Sequence, residues 1–281
     1  MDDLIIGCST NYDWNKLKYW INSVNKCGFV GKKILILMNC DAETVNKVVQ
    51  SGFDVVAFNK DEKGNLLYNS SLAVHVERFL HIYRILSMNQ YRYVITTDVK
   101  DVVFQKNPVE FLEKNLPVNG DKKYVFSSES IRYRDEPWGN NNLLETFGPF
   151  FHEMFRNNLI YNVGVLAGHG DAIRDLSAMI FNMSINRAIP IVDQAVFNFM
   201  VSQQPYLSTS LYLPSESGWA CQLGTTVDPS KIESFKYFLL EQSPVFDGEK
   251  VMTSTGSEYY IVHQYDRVPD WKKIIEEKYG E

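Results

Sequence analysis

The chain has 281 residues, with 28 basic against 34 acidic side chains and a formal net charge of −6, which is too acidic for a nucleic-acid binder relying on a general basic surface. Hydrophobic residues make up 45% and charged ones 22%, which excludes a disordered chain and permits a large core. The aromatic share is 14%, and large flat side chains line sugar sites as well as cores.

The first half alternates apolar runs with helix-like periodic stretches. Residues 4–9 (LIIGCS) read as a buried strand, and residues 13–27 as a helix with apolar positions at helical spacing. Residues 33–38 (KILILM) form a second strand, Asp41 stands where an N-cap would start a helix reaching Gln50, and Gly52 closes it. Residues 53–58 are a third strand, 71–89 a long amphipathic helix, and 93–97 (YVITT) a fourth strand. Strands alternating with helices imply βαβ units and a mainly parallel sheet. The second half is less regular. Strands are expected at 124–127, 159–167 and 259–262, with helices at 171–185, 192–201 and 272–278. The polar stretch 132–142 (RYRDEPWGNNN) reads as a mobile loop or subdomain boundary.

No apolar run approaches the roughly 20 residues that span a bilayer. The strand at Leu4 follows two aspartates instead of the basic and apolar regions of a signal peptide. Cys8, Cys27, Cys40 and Cys221 lack C-x-x-C spacing, so free thiols in a reducing compartment are expected. The expected location is cytoplasmic, and a homodimer stays open as an assembly. The length suits either two domains or one α/β unit.

Four constellations could carry chemistry. Strand 93–97 runs into Asp98 and Asp101, two carboxylates at the end of a strand, where open α/β sheets bind ligands. Hard oxygen ligands suit Mn²⁺ or Mg²⁺, although a solvated turn would also use aspartates. His263 ends a second apolar run and is a candidate third ligand, since imidazole suits Mn²⁺ better than Mg²⁺. Residues 161–171 place Asn162, Gly164, Gly168 and Gly170 between a strand and a helix start, where backbone can approach oxygen-rich ligands. This is neither a Walker loop nor a dinucleotide fingerprint. Finally, Asp193, Gln194 and Asn198 open a helix; in a cleft they could hold sugar hydroxyls, and Asp193 could accept a proton.

The order of these motifs, from the Asp-rich strand end with Val102-Val103-Phe104 and Asn107-Pro108, through Asn162-x-Gly164-Val165 and Asp193-Gln194, to the late His263, resembles the GT-A family of nucleotide-sugar glycosyltransferases. There is a weaker likeness to the small soluble glycosyltransferases of algal viruses and bacteria. The resemblance covers nearly the whole chain. It implies a GT-A-like, Rossmann-related α/β fold in one compact domain, with residues 1–135 binding the donor and 136–281 shaping the acceptor site. It implies Mn²⁺ (or Mg²⁺) held by Asp101, His263 and Asp98 against a nucleotide diphosphate, most simply of a UDP-sugar. One departure stands out: alignment on Val102-Val103-Phe104 puts Val99 where the first acid of the family's Asp-x-Asp should be, so Asp98 could contact ribose or sugar instead. The resemblance further implies that the loop carrying Ser9, Thr10 and Tyr12 embraces the nucleoside. It implies that Arg78, and with it Arg84, reaches the donor, and that Asn162, Gly164 and Gln194 line its pocket. Glu129, Arg132, Arg134 and Trp138 fall where acceptor contacts are expected.

The expected activity is thus metal-dependent transfer of a hexose or pentose to a hydroxyl of a glycan or glycoconjugate. If the reaction inverts, Asp193 or Glu129 would serve as base; if it retains, none is needed. A Mg²⁺-dependent phosphatase is the competing enzyme, but it would want a nucleophilic aspartate after the first strand, where Ser9 and Thr10 stand. A non-catalytic carbohydrate-binding protein is the other alternative. Of the aromatics, Phe79, Tyr83, Phe104, Phe197 and Phe199 are expected in the core, and Tyr12, Trp138, Trp219 and Tyr265 at turns where they could stack on ligands.

Overall fold

A computed structural model describes residues 1–281. The apolar runs form strands β1 (Leu4–Thr10), β2 (Lys32–Met38) and β3 (Asp54–Val56). A short hairpin, β4 (Asn59–Lys60) and β5 (Leu66–Leu67), precedes β6 (Tyr93–Thr97) and β7 (Val102–Phe104). Then come β8 (Tyr124–Arg132), β9 (Leu159–His169), β10 (Ser210–Leu213) and β11 (Ala220–Gln222). A second hairpin, β12 (Val245–Phe246) and β13 (Val251–Met252), precedes β14 (Ile261–His263). The helices that matter here are α1 (Trp14–Lys26), α2 (Ala42–Gln50), α3 (Val74–Met88), α4 (Pro108–Asn115), α5 (Pro137–Phe147), α6 (Pro149–Phe155), α7 (Gly170–Ser184) and α8 (Asp193–Val201). A final helix covers Pro269–Tyr279.

Seven strands make one sheet in the order β10-β8-β9-β6-β1-β2-β3. The pairs β1–β2, β1–β6, β2–β3 and β8–β10 are parallel, while β9 runs antiparallel to both β6 and β8. This is the mainly parallel sheet that the alternation of strands and helices predicts, with one reversed strand in its middle. Successive side chains on a strand point to opposite faces. Accordingly Ile5, Leu35 and Leu37 join one core with α1, α2 and α4, whereas Leu4, Ile6, Ile34 and Ile36 join another with α3, α7 and α8. Both faces are covered, which explains why β1 and β2 read as continuous apolar runs. The seven strands come from both halves of the chain, 1–135 and 136–281, so the halves share one sheet.

Local signals act as expected at the helix starts. The Asp13 and Asp41 side chains accept from the main-chain N–H of Lys16 and Thr44 and so cap α1 and α2. A smaller sheet, β11-β14-β7, stands beside the large one, with β14 antiparallel to β7 and His263 opposite Val102. That pairing brings residues 161 positions apart (263 − 102) to one place.

The structure corrects several expectations. Residues 132–142 are no mobile loop. They comprise the end of β8, a single 3-10 turn and the start of α5, whose N-terminus is capped by Glu136. Pro137 at the first helical position and an acceptor just before it are start signals that the polar run Gly139-Asn140-Asn141-Asn142 obscured. Trp219 and Tyr265 are buried in the core rather than presented at turns, and Tyr83 is exposed rather than buried. All four cysteines are free thiols. No helix is long and apolar enough to cross a membrane.

Candidate active site

A cleft of about 510 Å³ opens at the C-terminal ends of β1 and β6, a size suited to a small-molecule ligand. β1 delivers Ser9 and Thr10 and the loop after it Tyr12, the turn after β6 delivers Asp98 and Asp101, and β9 delivers Asn162 and Gly164. Arg78 comes from α3, Asp193 and Gln194 from the first turn of α8, and His263 from the end of β14. Most of the sequence-predicted residues thus converge on one cavity, but Arg84, Arg132, Arg134, Asn198 and, of the candidate bases, Glu129 do not line it. The Glu129 side chain is buried behind Asn162, whose Nδ2 donates to its Oε1 at 2.8 Å. Arg84 lies on the exposed side of α3, and Asp61 closes a turn by accepting from the N–H groups of Lys63 and Asn65. Asn198, too, is not a ligand residue. It is buried and its amide clamps the main chain of Tyr161 in both directions at 2.8 Å, fixing α8 against β9.

Asp98, Asp101 and His263 form a cluster whose potential ligand atoms lie within 4.8 Å of one another. His263 Nε2 is 3.6 Å from Asp98 Oδ2 and 3.6 Å from Asp101 Oδ1. The turn between the aspartates explains the departure from Asp-x-Asp: Val99 is buried and packs against Gly7, where a Cβ would come within 2.3 Å of Val99 Cγ1. Position 99 therefore serves the core, and Asp98 faces the cleft in its place.

The imidazole is oriented from behind. Gln222 Nε2 donates to Ser127 Oγ at 3.0 Å, which leaves Gln222 Oε1 to accept from His263 Nδ1 at 2.7 Å. Nε2 then faces the carboxylates, the arrangement in which an outer partner fixes a ligating histidine. Burial opposes charging of His263, but Asp101 and Asp98 outweigh it and raise its pKa. Asp101 is raised by burial. For Asp98 burial is overcome by the Arg78 guanidinium and His263, which hold its carboxyl well below the usual range. Two carboxylates and one imidazole nitrogen fit Mn²⁺ or Mg²⁺ in donor chemistry. Gly164 leaves the room: a Cβ there would lie 2.6 Å from His263 Cε1 and 2.8 Å from Asp98 Oδ2. Replacing Gln222 by Leu is expected to weaken Mn²⁺ binding about 10–100-fold, read by calorimetric titration, with little change in the far-ultraviolet circular dichroism spectrum.

Arg78 ties the cluster to α8. It is buried, pairs through Nη1 with Asp98 and through Nη2 with Asp193 at 3.2 Å, and also donates to the Val163 carbonyl at 3.4 Å. Burial raises the pKa of Asp193 against the pull of Arg78; burial also raises that of Glu129. Asn162 is fixed on both sides, its Oδ1 accepting from the Gly164 N–H at 2.7 Å and its Nδ2 donating to Glu129. Burial pushes the Cys8 thiol up to about 12, so the cysteine in the cleft wall carries no reactive thiolate.

Several cleft residues escaped the sequence reading. Lys100, Lys231 and His75 are exposed and line the rim, and Arg267 stands beside them. No local pattern marks them, because charged residues with no periodic context read as solvated surface. Gln264 is another. It holds a left-handed backbone at φ 61°, its N–H donates to the Asp101 carbonyl at 2.7 Å, and its side chain accepts from the Gly224 N–H. A strained residue next to a candidate ligand is a known mark of functional sites.

No protein-family model and no curated protein matches the chain. Solved structures do. The bifunctional glycosyltransferase WbbM, in its apo form, superposes with a TM-score of 0.56 at 10% identity, over 97% of this chain and 48% of WbbM. The glycosyltransferase GlyE of Streptococcus pneumoniae TIGR4 does so with a TM-score of 0.53 at 13% identity, over 99% of this chain and 63% of GlyE. Its apo form gives 0.54 at 12% identity. The chain therefore spans about half the length of WbbM and less than two thirds of GlyE. It has a glycosyltransferase fold, as the order of its motifs implied.

Proposed function

We propose that the protein transfers a sugar from a nucleotide diphosphate, most simply a UDP-sugar, to a hydroxyl of a glycan or glycoconjugate, with Mn²⁺ or Mg²⁺ held by Asp98, Asp101 and His263. The observation that carries this reading is the convergence of that cluster with the cationic rim of Lys100, Lys231 and Arg267 in one strand-end cleft. A bound divalent cation would neutralise charge developing on the leaving diphosphate. The rim cations would bind the same phosphates by charge-assisted hydrogen bonds, which reconciles a chain of charge −6 with a polyanionic donor. Ser9, Thr10 and Tyr12 would hold the nucleoside, and Asn162, Gly164 and Gln194 the sugar side.

In the transfer the bond from the anomeric carbon to the diphosphate oxygen breaks, and a bond from that carbon to the acceptor oxygen forms. The acceptor proton needs a destination. The carboxylates lining the cleft are Asp98, Asp101 and Asp193. The first two belong to the cluster, and Asp193 is tied to Arg78. This favours departure of the proton on the diphosphate itself and transfer with retention of anomeric configuration. A proton NMR spectrum of fresh product should then show the donor's configuration; an inverted product would make Asp193 the base instead.

Screening UDP- and GDP-sugars for slow hydrolysis with Mn²⁺ and no acceptor tests the reading as a whole. At least one donor is expected to release its nucleoside diphosphate, and Asp101→Ala to abolish the release. Turnover of simple phosphomonoesters with no action on any nucleotide sugar would favour a hydrolase.

A further inference from the structure

Beyond the main cleft, a second hollow of about 250 Å³ lies against α5. The two cavities share a wall made by Trp138 and Ile191. Trp20 and Trp219 are fully buried, but Trp138 is 52% exposed. Its main chain is fixed: it is the second residue of α5, behind Pro137, and the buried carboxylate of Glu136 accepts from the N–H groups of Trp138 and Gly139. Asn141 and Glu145 also line the hollow. Residues 138, 141 and 145 follow the spacing of one helix face, so the indole is continued by two planar polar groups over roughly 10 Å of helix axis. Asn141 Nδ2 donates to Glu145 Oε1 at 2.9 Å, which leaves the Asn141 carbonyl and the second Glu145 oxygen free as acceptors.

We propose that this hollow is a subsite for a neutral oligosaccharide acceptor of at least two sugar units, with Trp138 as the stacking platform between it and the reacting end in the cleft. The proposal rests on the glycosyl-transfer reading and specifies its acceptor. A flat indole takes the C–H face of a pyranose ring, as aromatic rings with one wet edge do. Acceptor-only oxygens beside it match sugar hydroxyls as donors. The carboxylate of Glu145 disfavours a polyanionic acceptor. The length of the face exceeds one pyranose ring, and the shared wall gives the chain a continuous path into the cleft. A platform on a capped helix costs little ordering on binding.

An oligosaccharide array of one to six sugar units, probed with labelled protein saturated with UDP and Mn²⁺, tests this. Wild type is expected to bind neutral members of two or more units. Trp138→Ala and the double change Asn141→Ala with Glu145→Ala are each expected to weaken that binding at least tenfold. UDP binding, measured separately by calorimetry, tells the two readings apart: if UDP does not bind, the glycosyl-transfer reading fails. If UDP binds but wild type recognises no oligosaccharide, only single sugars or only charged ones, or if both variants bind as wild type does, the subsite is wrong. Trp138→Phe, which keeps a flat ring, should retain most of the binding and so guards against a misfolded alanine variant.

Discussion

Arg78→Met is expected to lower stability by about 3–5 kcal/mol, the scale of leaving a buried charge without its partner. The guanidinium is the cation facing both Asp98 and Asp193, and its side chain is 9% exposed against 5% for Asp193. Methionine roughly fills the stem of the arginine but returns no donor. Asp193 and the Val163 carbonyl would then lose a buried donor, while Asp98, whose side chain is 32% exposed, would keep only His263 and solvent. A loss this size would show as a large drop in the urea midpoint without much change in slope. Arg78→Lys is a partial rescue at best. Its single ammonium cannot reach Asp98, Asp193 and the Val163 carbonyl together as a planar fork does. If Arg78→Met unfolds at the wild-type midpoint, the charges in the cleft are solvated and the network described here is not what holds α3 to α8.

Gly164→Ala is expected to damage function more than stability. The added Cβ would meet the His263 ring, the Asp98 carboxylate and, at 2.9 Å, Asn162 Oδ1. None of the three can retreat easily. His263 is held by Gln222, Asp98 by Arg78, and Asn162 by Glu129 and the Gly164 N–H. Overpacking of this kind costs about 1–3 kcal/mol. The shift it imposes on the two candidate ligands, of the order of an ångström, is expected to cost roughly 10²-fold in rate. Metal-dependent hydrolysis of the donor sugar checks the rate, and thermal denaturation checks that the variant is folded. Wild-type turnover in Gly164→Ala would mean that His263 and Asp98 need not stand where they do.

Much of the fold was legible because it rests on local signals. Continuous apolar runs marked β1, β2 and β6, and Asp13 and Asp41 marked the starts of α1 and α2. Strand-end carboxylates and a strand-end histidine were visible as types. What brings them together was not. His263 reaches Asp101 through the antiparallel pairing of β14 with β7, a contact across most of the chain for which no short-range pattern exists. Gln222 was invisible for the same reason: a lone glutamine gains meaning only when β11 lies beside β14. The exposure of aromatics was misjudged at Trp219, Tyr265 and Tyr83, because a large side chain in a turn or on a helix has no period from which its environment can be read. The stretch 132–142 failed differently. Its polar composition outweighed the Glu136-Pro137 start signal, although Asn142, Leu143 and Thr146 are buried once α5 forms.

The proposed transfer requires that Asp98, Asp101 and His263 hold a divalent cation that in turn holds a nucleotide diphosphate. Calorimetric titration of UDP into the protein, with Mn²⁺ and again with EDTA, tests it most directly when repeated on Asp101→Asn, a change that keeps the shape and removes the charge. Wild type should bind UDP with Mn²⁺ and lose at least about 100-fold in affinity with EDTA, a coupling within the usual range between linked sites, and Asp101→Asn should bind weakly in both. Equal affinity for UDP with and without the cation, or unchanged cation-dependent binding in Asp101→Asn, would contradict it.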